Sequence, residues 1–273
     1  MMRKCLFFVA AAALTTTMAF AQSSGNFTYG TSGGSLNCTL DDKSGHITGG
    51  ALCSANNNGG VTVTCSTDAD CLNFYGSNSG ATCNTTLGQC VLPTPDTNCG
   101  GNFYAGIKTS SGNGNVFVIR PSLVVGLLTD ATVSSKQMSA TTGTVSSSAL
   151  AGVNVSVSVG AETGTGAPQT IPNFPVTYDA RFVQISTNLF QALATQCTNI
   201  ANGCFLTFAE STVSAHSFDW IVTNLSSGNY GVTVNWSSTV NGQGIFEALT
   251  CVGPLNFTVQ QNKIFHQNEV NAM

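Results

Sequence analysis

Cysteine thiols are the most informative reactive groups in this chain. Eleven cysteines occur, and ten lie beyond residue 21: Cys38, Cys53, Cys65, Cys71, Cys83, Cys90, Cys99, Cys197, Cys204 and Cys251. Thiols at such density either bind metal or pair as disulfides. The C-x2-C spacing usual for zinc is absent, the closest pairs being C-x5-C and C-x6-C. Disulfides are therefore expected. Seven of the ten precede residue 100 and three follow residue 190. If all are paired, both groups are odd, and at least one bridge ties them together. Cys197 and Cys204, with six residues between them in a Gly-containing loop, form a natural local pair. Cys251 then needs a partner from the N-terminal group, with Cys99 or Cys38 favoured.

Other chemistry is sparse. The histidines are His46, His216 and His266. A hydrolase would pair His216 with Asp219 and a serine, but residues three apart on a strand point to opposite faces. No G-x-S-x-G elbow presents a nucleophile. Zinc held by the three histidines lacks any H-x-x-x-H spacing. Asp41-Asp42 and Asp68-x-Asp70 could offer oxygen ligands to calcium; without a full D-x-D-x-D-G loop, turn capping is the plainer role. A glycosidase needs two carboxylates across a cleft. Glu162, Glu210, Glu247, Asp179 and Asp219 are available, but no spacing singles out a pair. Trp220, Trp236, Tyr230 and Tyr104 could stack on sugar rings, although buried core is the expected role for most of them. No cofactor is expected.

The setting of these residues reads as extracellular. Arg3 and Lys4 precede an apolar run from Leu6 to Leu14, and Ala19-Phe20-Ala21 precedes Gln22. That is the layout of a cleavable secretory signal over residues 1–21. Neither this run nor any later one reaches the roughly 20 apolar residues a membrane span needs. Export places the cysteines where disulfides persist. Only 7% of residues are charged, against about 25% in ordinary globular domains. Without Arg3 and Lys4 the chain keeps six basic and twelve acidic residues, a net charge near −6. No basic patch suits nucleic acid. Such a surface has little charge repulsion to keep copies apart and few charged residues to blunt strand edges. Seven N-x-S/T sequons, at Asn26, Asn37, Asn84, Asn154, Asn224, Asn235 and Asn256, matter where the host glycosylates exported proteins.

Two regions must position these groups. Residues 22–100 are rich in Gly, Asn, Ser and Thr and hold seven cysteines. So little apolar surface cannot offset ordering entropy, and cross-links must help. A Pro-punctuated connector at Leu92-Pro93-Thr94-Pro95 puts a boundary near 93–101. Residues 101–273 read as strands. Val116–Arg120 and Leu123–Leu128 flank Pro121, and Gly152–Val159 alternates strictly. Phe182–Ile185, Phe205–Phe208, Phe218–Val222, Tyr230–Trp236, Ile245–Cys251 and Leu255–Val259 continue the pattern. The segments flanking Asn224–Asn229 read as an antiparallel hairpin. Residues 187–196 are the one plausible helix, with Asn188 as its cap. The class is all-β: an antiparallel sandwich preceded by a small disulfide-rich module.

Two resemblances accompany this reading. Cys65-Ser-Thr-Asp-Ala-Asp-Cys71, followed by Cys83 and by Gly88-Gln-Cys90, resembles the small C-x(4–5)-D-C…C…G-x-C modules of secreted bacterial and animal proteins. That likeness implies Cys65–Cys83 and Cys71–Cys90 bridges. His216-Ser-Phe-Asp-Trp220 with Gly228-Asn-Tyr-Gly-Val-Thr-Val-Asn-Trp236 resembles the late hairpin of immunoglobulin-like sandwiches. With the 120–128 run, it is also similar to β-rich domains of uncharacterised exported bacterial proteins. The expected function is a secreted or cell-surface, non-enzymatic structural, adhesive or self-assembling protein, with copies of itself or a surface glycan as partner. A carbohydrate-binding module is the first alternative and a secreted hydrolase the second.

Overall fold

The computed structural model describes residues 25–32, 36–42, 44–58, 63–75, 80–96, 99–109, 115–135, 146–163, 167–186, 188–189, 192 and 204–263. The expected signal segment and Cys197 lie outside these. Of the helix expected over 187–196, Asn188, Leu189 and Ala192 are described and helical, and the rest lies outside.

The fold is all-β, two antiparallel sheets packed face to face. The smaller sheet has the order β11 (Val176–Ser186), β9 (Ser146–Ala161), β14 (Asn229–Gln243), β7 (Gly100–Lys108). In the larger sheet β15 (Ile245–Lys263) and β8 (Asn115–Ser134) are central. β1 (Phe27–Thr31) and β4 (Ala51–Asn58) flank β15 at its two ends. β12 (Phe205–Ser217) and β13 (Trp220–Leu225) flank β8, and β10 (Gln169–Ile171) lies beyond β13. At about 3.3 Å per residue, twenty-residue β8 spans roughly 65 Å.

Alternation explains the core. Tyr230, Val232, Val234 and Trp236 of β14 point inward, as do Val153, Val155 and Val157 of β9. They meet Phe117, Ile119, Leu123, Val125 and Leu127 of β8 and Leu255, Phe257 and Val259 of β15. Side chains at every second position share a face, so each strand gives one apolar stripe to the shared interior.

Pro121 does not divide the chain into two strands; β8 runs straight through it. The missing N–H falls where β8 would meet Phe218, and the flanking strand yields instead. Ser217 pairs with Ser122 and Trp220 with Ile119 in the same register, with the pairing interrupted between them at Phe218 and Asp219. The strand expected from Phe218 therefore begins at Trp220. Arg120 and Asp219 face each other across this gap as a bidentate pair, with Nε–Oδ1 at 2.6 Å and Nη2–Oδ2 at 2.7 Å. Ile245–Cys251 and Leu255–Val259 likewise join into one strand. Its register with β8 shifts between Val252 and Leu255, where Gly253 adopts φ 139° and Pro254 follows.

The expected hairpin around 224–229 is not formed. β13 belongs to the larger sheet and β14 to the smaller one. Trp220 and Val222 face Tyr230 and Val232 across the core, so pairing the strands edge to edge would leave those stripes uncovered. The corner is fixed by Tyr230, whose hydroxyl donates to Ser226 O at 3.0 Å and accepts from Ser226 N at 2.9 Å. From β7 to β15, apart from collinear β12 and β13, every successive strand changes sheet.

The boundary near 93–101 marks the start of β7, but residues before it are not all a separate module. β1 and β4 are strands of the larger sheet, because their backbone edges complete β15. A hairpin, β2 (Thr39–Leu40) with β3 (Ile47–Thr48), covers the outer face of that sheet through Ile47, Leu128 and Leu249. The self-contained module is residues 63–92. It holds α1 (Asp68–Tyr75), paired strands β5 (Thr82–Asn84) and β6 (Gln89–Val91), and a small core of Val63, Cys71, Tyr75 and Ala81 against Ile245. α1 was not foreseen in a Gly- and Asn-rich segment. Its signal is Thr67-x-x-Asp70, a capping box in which the Asp70 carboxylate accepts from Thr67 N at 2.9 Å.

Four bridges join described residues: Cys38–Cys251, Cys53–Cys99, Cys65–Cys83 and Cys71–Cys90. Of the two partners favoured for Cys251 the structure selects Cys38, and Cys99 pairs with Cys53. Cys204 is also disulfide-bonded. Gly50 is required beside the first bridge, since a Cβ there would lie 2.5 Å from Cys251 Sγ and 2.8 Å from Cys38 Sγ. Replacing both Cys38 and Cys251 by Ser is expected to lower unfolding free energy by about 2–4 kcal/mol in urea titrations. Replacing Cys65 and Cys83 should instead expose residues 63–92 to protease while the strand signal in circular dichroism persists.

Candidate functional site

Three settings gather the groups that could do chemistry. The first is the solvent-facing side of the larger sheet. Residues directly opposite in an antiparallel ladder share a face. The registers place Phe27, Gln260, Val118, Ile221 and Ile171 in one row across five strands. Phe27, Ile221 and Ile171 are 60%, 44% and 56% exposed. Next to this row, Tyr29 stands opposite Thr258, which stands opposite Arg120. The Phe27 and Tyr29 rings lie 6.4 Å apart. Arg120 holds the Asp219 carboxyl below the usual carboxylate range, chiefly through their hydrogen bonds. Ile171 also lines an open groove of about 770 Å3 between β9 and residues 168–174, with Val157, Val159, Pro172 and Phe174.

Trp220, Trp236 and Tyr230, weighed as a possible sugar platform, take the core role expected for most of the aromatic candidates. All three lie in the core, 0%, 6% and 0% exposed. Their positions on the strands turn them inward with Val222, Val232 and Val234, and burying large rings there outweighs displaying them. Trp220 stacks on Tyr178 at 6.2 Å and meets Phe218 edge-on at 4.8 Å. Tyr104, by contrast, is 58% exposed. The exposed rings Phe27 and Tyr29 were missed because FTYGT sits in a segment assigned to a separate module. Its alternation was the available signal.

The second setting surrounds His216. Its partner is Asp179 of β11, not Asp219, with Nε2–Oδ2 at 3.6 Å. Ser214 Oγ lies 2.6 Å from the same Nε2. A hydrolytic triad places the nucleophile on one ring nitrogen and the orienting carboxylate on the other. Here both meet one nitrogen, so the relay is not assembled. Glu210 pairs with Arg181 at 3.6 Å, and Asp179, Asp219 and Glu210 thus each have a separate basic partner. Asp68 and Asp70 are engaged with backbone. Asp68 Oδ1 accepts from Cys83 N at 2.7 Å, and Asp70 Oδ2 accepts from Ser66 N at 2.8 Å. Those backbone bonds hold the Asp70 carboxyl below its ordinary range. The sulfurs of Cys65, Cys71 and Cys90 cluster within 4.8 Å, but all belong to disulfides.

The third setting is buried. Glu247, one of the five carboxylates considered for glycoside chemistry, lies directly opposite Asp130, which sequence reasoning missed. Both are buried, at 6% and 2% exposure. The signal was a lone acid inside each of two apolar runs, Leu127–Val133 and Ile245–Cys251.

Trp220→Ala is expected to cost about 3–5 kcal/mol of stability, and Tyr230→Phe about 1 kcal/mol through its lost backbone bonds. Arg120→Ala should change stability least of the three, because its ion pair with Asp219 is solvent-exposed and screened. Urea unfolding of the three variants checks the ranking. No protein-family model matches this chain, and comparison with curated proteins finds no matching sequence.

Proposed function

We propose that this is an extracellular, non-enzymatic structural protein that works by surface contact, in adhesion or self-assembly. One observation carries the reading: the row of Phe27, Val118, Ile221 and Ile171, interrupted by Gln260 between the first two, which leads into the groove at Phe174. Large apolar side chains clustered on an exposed sheet face mark a site of association. Low charge supports the same reading, since little on this face repels a second copy. The disulfides are compatible with an oxidising location.

A second reading, carbohydrate binding, is favoured by Phe27 and Tyr29. These are adjacent exposed rings, flanked by Gln260, Thr258 and the Arg120–Asp219 pair. Rings stack on sugar faces while amides and hydroxyls bond sugar hydroxyls.

Small-angle scattering of the mature protein over a concentration series separates the two. Self-association is expected to grow with concentration and to be lost in Ile221→Lys, with stability changed by no more than about 0.5 kcal/mol. Strict monomers at high concentration overturn assembly. Glycan-array signal lost on Tyr29→Ala would favour the second reading, and a blank array would remove it.

A further inference from the structure

Asp130 and Glu247 form a carboxyl pair in a place where the described residues offer no counter-charge. They stand directly opposite across the β8–β15 ladder, on the outer face of the larger sheet. Among the described residues, Asp130 Oδ2 and Glu247 Oε2 have no hydrogen-bond partner. Asp130 Oδ1 accepts one long bond from Thr132 Oγ1 at 3.4 Å. The same row continues to Asn56 of β4 beside Glu247 and Ala209 of β12 beside Asp130, neither of them charged. Asn56 donates its amide to Pro93 O at 2.9 Å.

Two elements cover this face. Ile245, two residues before Glu247 on the same side, packs into the stapled module with Val63 and Tyr75. Leu249, two residues after it, packs under the β2–β3 hairpin with Ile47. The pair therefore lies at the seam between module and hairpin. Titratable groups on the module are Tyr75, whose hydroxyl burial pushes up to about 12, and Asp68 and Asp70, engaged as above. On the hairpin they are Asp41, Asp42 and His46; Lys43 lies outside the described residues. Glu210 of β12 is bound to Arg181. Arg120 and Lys263 belong to the opposite half of the sheet, at the ladder positions of Thr258 and Asn115.

Two neighbouring carboxylates in a dry site cannot both ionise without strong repulsion and desolvation cost. We propose that Asp130 and Glu247 are a proton-held latch: protonated, they let the module and hairpin close over the sheet, and ionised, they open that cover. Burial raises the Asp130 carboxyl to about 7. Burial and then the neighbouring Asp130 raise Glu247 to about 8. Both folded-state values exceed the unfolded ones near 4. Closure is therefore fully favoured below about pH 4 and is lost as pH rises through about 7 to 8. The Cys38–Cys251 and Cys53–Cys99 bridges keep the opened cover attached, so the opening is local and reversible.

Limited proteolysis of the whole protein at pH 5 and pH 9 tests this, with Asp130→Asn/Glu247→Gln digested in parallel to correct for the protease's own pH profile. Cleavage within residues 36–50 and 63–92 should accelerate at least tenfold relative to the variant, because each pH step of one above a carboxyl's titration point multiplies its ionised fraction over its protonated fraction by about ten. Equal acceleration in the variant overturns the latch. Isotope-edited infrared spectroscopy of the wild-type protein decides the matter without any variant. A protonated carboxyl band that persists at pH 6 and fades by pH 9 supports it. Two fully ionised carboxylates at pH 6 overturn it.

Discussion

β8 and β15 lie side by side along nearly their whole lengths, and the other strands of the larger sheet are arranged around that ladder. β15 accepts β1 and β4 on its far edge, and β8 accepts β12 and β13 on its own. Phe117, Ile119 and Leu127 from one and Phe257 and Val259 from the other form the floor on which the smaller sheet packs. The outer side of the same ladder holds Leu128, Leu249 and Cys251, the anchor for the β2–β3 hairpin. Both faces of two strands are thus buried over their upper halves. That explains why their sequences read there as continuous apolar runs and not as alternation.

Much of this was legible. The alternating valines of β9 and β14 identified strands and their buried faces, and a cysteine count with odd groups on each side demanded a bridge across the chain. What the sequence could not disclose was which strand meets which. A local pattern carries one face of a strand, whereas sheet membership depends on partners far away. Tyr230–Trp236 looks like half of a hairpin because its neighbour in sequence is also a strand. Only the opposed burial of Trp220 and Tyr230 across the core reveals a corner. Pro121 misled for a related reason. Its missing N–H is harmless at one point on one edge, and the cost is borne by the flanking strand, not by β8.

The candidate surfaces divide by the same logic. Large rings placed in alternation with valines were drawn into the core, and Trp220, Trp236 and Tyr230 are structural. Rings in a short segment at the sheet edge, Phe27 and Tyr29, stay in solvent because nothing described packs over that half of the outer face. The two halves of one sheet surface thus have opposite characters. The upper half is sealed by the module and hairpin over acids with no counter-charge among the described residues. The lower half is bare, with exposed Phe27, Tyr29, Ile221 and Ile171 among Gln260, Thr258 and an Arg120–Asp219 pair neutralised internally.

The alternation of strands between sheets also sets an order of events. From β7 onward no strand pairs with its immediate neighbour in sequence, so no local hairpin can close while the sandwich segment is still being made. Phe27 finds Gln260 only after almost the whole described chain exists. Such distant closures meet their entropy cost before any contact repays it, which makes assembly slow. Cys65–Cys83 and Cys71–Cys90 can close early, within a few tens of residues, but Cys38 must wait for Cys251. The larger sheet is therefore completed only by its last strand: β8 can meet β12 and β13 earlier, but β1 and β4 have no edge to join until β15 exists.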